Sequence, residues 1–125
     1  MSAVKLDGKW GFIDLDGKEV VPFKYDRADA FSEGLARVLQ NGKWGYIDRT
    51  GYEVIPCKFD AAEAFSEGLA EALKNDRWGY IDRIGKEVIP FIFDCTSEFE
   101  NGKADVNLDG KPGTIDKLGN FTPEE

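Results

Sequence analysis

Residues 31–56 read FSEGLARVLQNGKWGYIDRTGYEVIP. Asn41-Gly42 sits between two short alternating runs, Ala36–Gln40 and Lys43–Asp48. Asn-Gly is the strongest short hairpin signal, because both turn residues need φ > 0. A two-residue turn fixes the register: Gln40 faces Lys43, Leu39 faces Trp44, Val38 faces Gly45, Arg37 faces Tyr46 and Ala36 faces Ile47. One face then carries Ala36, Val38, Gly45 and Ile47, all small or aliphatic, so something packs close against it. The other carries Leu39, Trp44 and Tyr46 beside Arg37. Asp48-Arg49-Thr50-Gly51 has type I turn chemistry. A third short strand, Glu53–Ile55, is expected to end at Pro56, which cannot donate to a ladder.

Copies of this stretch lie on both sides of it. Trp10, Trp44 and Trp78 are spaced 34 residues apart, and a further step lands on Pro112 in KPGTID, a degenerate copy of KWGYID. The same step links Gly11, Gly45, Gly79 and Gly113, and it links Asp14, Asp48, Asp82 and Asp116. Phe31, Phe65 and Phe99 follow it too. A fixed period of this size marks a repeat array and outranks any local assignment.

The expected fold is all-β, a tandem array of three-stranded meander modules of 34 residues. The whole chain, 1–125, reads as one repeat domain with modules at about 4–35, 36–69, 70–103 and 104–122, the last a degenerate cap. Each connector is expected to hold a short helical turn. Asp60 would be its N-cap, Ala61–Ser66 its body and Gly68 its stop, with Ala62 and Phe65 on one face. Polar residues opposite tryptophan in the outer modules, Lys5 and Asn107, suit the ends of an open superhelical stack. A closed, propeller-like arrangement is the alternative.

Composition narrows the function. The formal net charge is −8 and histidine is absent. Nucleic acid is disfavoured, because a phosphate backbone needs a basic stripe, and a basic protein partner is favoured. Without histidine, the commonest general base and zinc ligand are missing. Cys57 and Cys95 fall at unmatched repeat positions and read as two small, part-buried thiols in a reducing compartment. Neither a signal-peptide pattern nor a membrane-length apolar run is visible, so a cytoplasmic location is the default expectation and no membrane partner is expected.

KWGYID, EVIP and FSEGLA, repeated at this period, resemble the bacterial WG-repeat family over nearly the whole chain. The pair itself stands as Trp10-Gly11, Trp44-Gly45 and Trp78-Gly79, and the fourth unit departs from it with Pro112-Gly113. The resemblance implies a β-rich interaction module and supplies no catalytic residues.

Asp14, Asp48, Asp82 and Asp116 read as turn caps, since their loops offer a hard cation too few converging oxygens. The tryptophans could form a sugar-stacking ladder, but core packing is favoured, with Trp44→Ala costing roughly 3–5 kcal/mol. Glu33 and Glu67 read as solvated connector tips and not as a catalytic pair. No catalytic, metal or cofactor site is assigned. Binding specificity is placed at the positions that vary between copies: Arg37 becomes Glu71 and Asp105, Arg27 becomes Ala61 and Cys95, and Asp29 becomes Glu63 and Ser97. The candidate partner-binding residues are Arg37, Glu71, Asp105, Arg27, Asp29 and Glu63. The expected function is a non-enzymatic protein-interaction or scaffold module, with a carbohydrate or cell-wall binding repeat as the alternative. Self-association through the open ends is also compatible with exposed strand edges.

Overall fold

The computed structural model describes residues 1–124. Fifteen strands form four antiparallel sheets. The first sheet holds β1 (Ser2–Leu6), β2 (Lys9–Ile13) and β3 (Glu19–Tyr25). The second holds β4 (Arg27–Ala28), β5 (Ala36–Gln40), β6 (Lys43–Ile47) and β7 (Glu53–Phe59). The third holds β8 (Ala61–Ala62), β9 (Ala70–Lys74), β10 (Arg77–Ile81) and β11 (Glu87–Phe93). The fourth holds β12 (Cys95–Thr96), β13 (Lys103–Leu108), β14 (Lys111–Asp116) and β15 (Phe121–Pro123).

The hairpin register is the expected one, from Gln40 opposite Lys43 to Ala36 opposite Ile47. Asn41 and Gly42 both take positive φ, as do Asp7-Gly8, Asn75-Asp76 and Asp109-Gly110. The recurring aspartates are turn caps. Asp48 Oδ1 accepts the N–H groups of Thr50 at 2.9 Å and Tyr52 at 3.1 Å, while its carbonyl accepts from Gly51 N–H. Asp14, Asp82 and Asp116 repeat the arrangement.

Two local expectations are corrected. The third strand does not stop at Pro56 but runs on to Phe59. Trp44 pairs with Phe59 while Tyr46 pairs with Ile55, so two steps on one strand face four on the other. This bulge holds Pro56 where no ladder N–H is needed. It also explains the glycine after tryptophan. A Cβ on Gly79 would lie 2.7 Å from the Ile89 carbonyl oxygen, and one on Gly11 2.5 Å from that of Val21. Only glycine lets the bulged backbone come this close.

The connectors contain no helix. Ala61–Ala62 instead pairs with Leu73 and Ala72 as a two-residue edge strand on the next sheet. Asp60 caps nothing helical; its backbone N–H bonds Leu73 O and its carboxylate pairs with Lys43. Gly68 is not a helix stop. Ser66 and Leu69 exchange N–H···O bonds in both directions around Glu67 and Gly68, which have φ 53° and 84°. The reason is local: a Glu-Gly pair at positive φ closes a tight reversed turn, and the β pairing of the alanines satisfies backbone groups that a one-turn helix would leave open. Ala62 and Phe65 do point into one core, as expected, but from extended backbone.

The core is divided among three interfaces, each between consecutive sheets. Tyr46, Ile55 and Phe59 of the second sheet pack against Ala70, Ala72 and Ile81 of the third, with Ala62 and Phe65 between them. Phe12, Val21 and Tyr25 meet Ala36, Val38 and Ile47 in the same way. Tyr80, Ile89 and Phe93 meet Ala104, Val106 and Ile115. Each middle sheet therefore has a bulky aromatic forward face and a small aliphatic back face. Tyr46 and Tyr80 are wholly buried, and each donates its hydroxyl to a connector carbonyl, of Glu63 and Ser97 respectively. Phe65 meets Tyr46 edge-on with centroids 4.8 Å apart, and Phe99 meets Tyr80 at 4.9 Å. The tryptophans pack against these clusters, as expected, but do not fill them. Trp10, Trp44 and Trp78 are half-buried at the rim of these interfaces.

Candidate functional site

The variable positions lie along the connector strands and the first strand of each hairpin, and the structure divides them. Arg37 is held by its surroundings. Its Nε lies 2.5 Å from Asp29 Oδ2, and its Nη1 donates to Ala62 O at 2.6 Å and to Glu63 Oε1 at 3.3 Å. The guanidinium also rests over the Trp44 ring, 5.0 Å from its centroid. Arg37, Asp29 and Glu63 are thus brought together as one ion-paired group joining two connectors.

Glu71 occupies the Arg37 position one repeat on, and it is buried. Thr96 Oγ1 donates to Glu71 Oε1 at 2.7 Å. Burial pushes the Glu71 carboxyl up; the Thr96 bond opposes this, and the charges of Glu63 and Glu98 add to the rise. Asp105 is exposed, and its N–H donates to Ser97 Oγ at 2.9 Å. Arg27 is exposed on β4, away from that group's hydrogen bonds and ion pairs. Cys57 is half-buried and Cys95 exposed, both free.

A second set of contacts went unread in the sequence. Glu33 is not a solvated tip. Its carboxylate accepts the N–H groups of Glu67 at 2.7 Å and Gly68 at 2.8 Å, and pairs with Arg83 Nη2 at 2.9 Å. Glu67 repeats this one module on, accepting from Asn101 N–H at 2.6 Å and Gly102 N–H at 2.9 Å, with Lys117 Nζ at 3.3 Å. Ser32 Oγ donates to Phe65 O and Ser66 Oγ to Phe99 O, each at 2.8 Å. Each Ser-Glu pair therefore clasps the next turn by one hydroxyl and one carboxylate. Two successive N–H groups in a positive-φ turn make a small anion cradle, and a cation beside it completes the site. Burial alone would raise Glu33, but Arg83 and the Gly68 and Glu67 N–H groups outweigh it and hold the carboxyl below its usual range. The Gly102 N–H foremost, with Asn101 N–H and Lys117, does the same for Glu67 and outweighs its desolvation. Glu33, Glu67, Arg83 and Lys117 line an open cleft of about 620 Å³. A signal was present: Arg49, Arg83 and Lys117 recur at the same step of 34 as Glu33 and Glu67.

Four antiparallel sheets at one period, clasped by the same loop contacts, define a tandem β-repeat protein. The family model described as WG containing repeat matches residues 10–44, 44–78 and 78–111, and the chain belongs to that family. None of the curated proteins compared matches the chain.

Proposed function

We propose that this protein is a non-enzymatic interaction module, an open stack of repeats that presents an acidic variable strip to a basic protein segment. The observation that carries this is the setting of Glu71. Its buried carboxyl stands among Glu63 and Glu98, with exposed Asp105 at the same position one repeat further on. Arg37, the cation of this strip, is already paired with Asp29 and Glu63, so the acids beyond it keep their negative field. A lysine or arginine side chain laid along the strip would relieve that repulsion. Exposed Glu98 and Asp105 would carry the contact, with Glu63 at its edge and buried Glu71 adding charge from beneath, while Arg37 and Asp29 would support it from within the fold. The sugar-binding alternative is weaker, because a sugar stacked on Trp44 would have to displace the Arg37 guanidinium.

The test is affinity capture at low and high salt with the native chain and with a Glu63→Lys/Glu98→Lys/Asp105→Lys variant. The proposal expects one stoichiometric partner with a basic surface, lost with the variant and weakened by salt. A partner retained equally by the variant would overturn it.

A further inference from the structure

The two Ser-Glu clasps fill the turns of the second and third connectors, and the first connector offers the same groups to something else. Shifting the contacts back by one repeat gives the Phe31 carbonyl as acceptor, the Glu33 and Gly34 N–H groups as donors, and Arg49 as the cation. The turn is built identically: Ser32 and Leu35 exchange N–H···O bonds, and Glu33 and Gly34 have φ 53° and 82°. Among the described residues, no serine hydroxyl bonds Phe31 O and no carboxylate bonds the Glu33 or Gly34 N–H. Arg49 lies over the Phe31 ring, 5.1 Å from its centroid. Phe31 itself is only half-buried, whereas Phe65 and Phe99 are 2% and 1% exposed under their clasps.

We infer that Phe31 O, the Glu33 and Gly34 N–H groups and Arg49 form a socket for a Ser-Glu segment, presented in a tight turn by another β-repeat sheet. The ligand chemistry is shown by the molecule itself, which holds a serine hydroxyl and a glutamate carboxylate on these same groups at two other places. The back face of the first sheet fits the same occupant. It keeps Val4, Gly11 and Ile13 where the second sheet has Val38, Gly45 and Ile47, and Val38 and Ile47 lie under a neighbour's aromatic face. A second copy of this chain is a poor donor from its far end. The last connector reads Phe99-Glu100-Asn101-Gly102, with Glu100 and Asn101 in place of serine and glutamate. The occupant is therefore a different repeat sheet that carries the Ser-Glu turn.

The test is amide NMR on the full chain, titrated with a backbone-cyclised peptide containing Ala-Phe-Ser-Glu-Gly-Leu, the sequence of residues 30–35. The same peptide with glutamine for glutamate, and sodium acetate, are the comparison probes. The Glu33 and Gly34 amides are expected to shift and saturate, while those of Gly68 and Gly102, already bonded, stay still. Glutamine in the peptide, or Arg49→Gln in the protein, should each weaken binding by about tenfold, the scale of a lost charge-assisted hydrogen bond. Arg49 is exposed, so this variant keeps the fold. No shift at Glu33 and Gly34 with the peptide would overturn the inference, as would equal binding of the glutamine peptide. Acetate binding as tightly as the peptide would show a plain carboxylate site and overturn the Ser-Glu assignment.

Discussion

The outer faces of the first and fourth sheets differ in kind. The fourth has given up the aromatic forward face: Thr114 stands where the middle sheets have Tyr46 and Tyr80, Asn107 where they have Leu39 and Leu73, and Pro112 where they have tryptophan. Its connector has also lost the Ser-Glu clasp. The first sheet keeps the back face of a middle sheet almost unchanged, with Val4, Gly11 and Ile13, and keeps the receiving turn at Glu33-Gly34. The sequence reading took polar substitutions at both ends as caps. Lys5 pairs with Trp10 on the forward face of the first sheet, so it caps nothing outward. A stack of this kind has direction. Each middle sheet offers bulk on one side and receives it on the other; the fourth sheet has lost the offering face, and the first keeps the receiving one.

That comparison can be broken most severely at the forward face. Tyr46→Ala removes a wholly buried ring that spans two sheets and should cost roughly 3–5 kcal/mol in urea unfolding. Thr114→Ala at the same position in the fourth sheet should cost under about 1 kcal/mol. Next comes the back face. Ile47→Ala, at 0% exposure, should cost about 3 kcal/mol, and Ile13→Ala, half-buried on the first sheet, about 1 kcal/mol. Equal losses at Ile13 and Ile47 would remove the distinction between an interior and a receiving face.

The bulge gives an effect of intermediate size. Gly79→Ala places a methyl 2.7 Å from backbone oxygen and should cost about 1–3 kcal/mol with little change in secondary structure. The smallest effects separate by pH. Glu33 has a lowered folded pKa, so its contribution is present at neutral pH and is lost as pH falls through that lowered value. Glu33→Gln should cost about 1 kcal/mol at neutral pH, and the deficit should close on acidification. Glu71 has a raised folded pKa, so its charge costs stability at neutral pH and the cost fades as pH falls through the raised value. Glu71→Gln should therefore stabilise at neutral pH, less so in acid. Thermal denaturation across pH reads both signs.

The framework was legible because it is set by neighbours in sequence. Asn41-Gly42 fixes a register, and Asp48 caps its own turn. The alternation of small and bulky residues assigned the two faces of the second sheet correctly. What was not legible depends on partners outside the local stretch, on the next strand or 17 to 35 residues along the chain. Ala61-Ser66 looks helical by itself and becomes extended because β9 supplies hydrogen bonds to Ala61 and Ala62. Tryptophan draws attention as the largest ring, yet Tyr46 takes the interior because its hydroxyl finds the Glu63 carbonyl. Glu33 reads as a loop tip until the turn at Glu67-Gly68 is seen to receive it. Among the candidate residues, the sequence could not show that Arg37 spends its charge on Asp29 and Glu63, or that Glu71 is buried while Asp105 is exposed.

The central claim is that stability resides between sheets, since every core cluster is shared by two of them. The most direct measurement is thermal unfolding of the peptide spanning residues 36–69 beside the full chain, followed by circular dichroism. The peptide keeps the second hairpin but leaves Tyr46, Ile55 and Phe59 uncovered. The account predicts a cooperative transition for the full chain and none for the peptide. A cooperative transition in the peptide alone would contradict it.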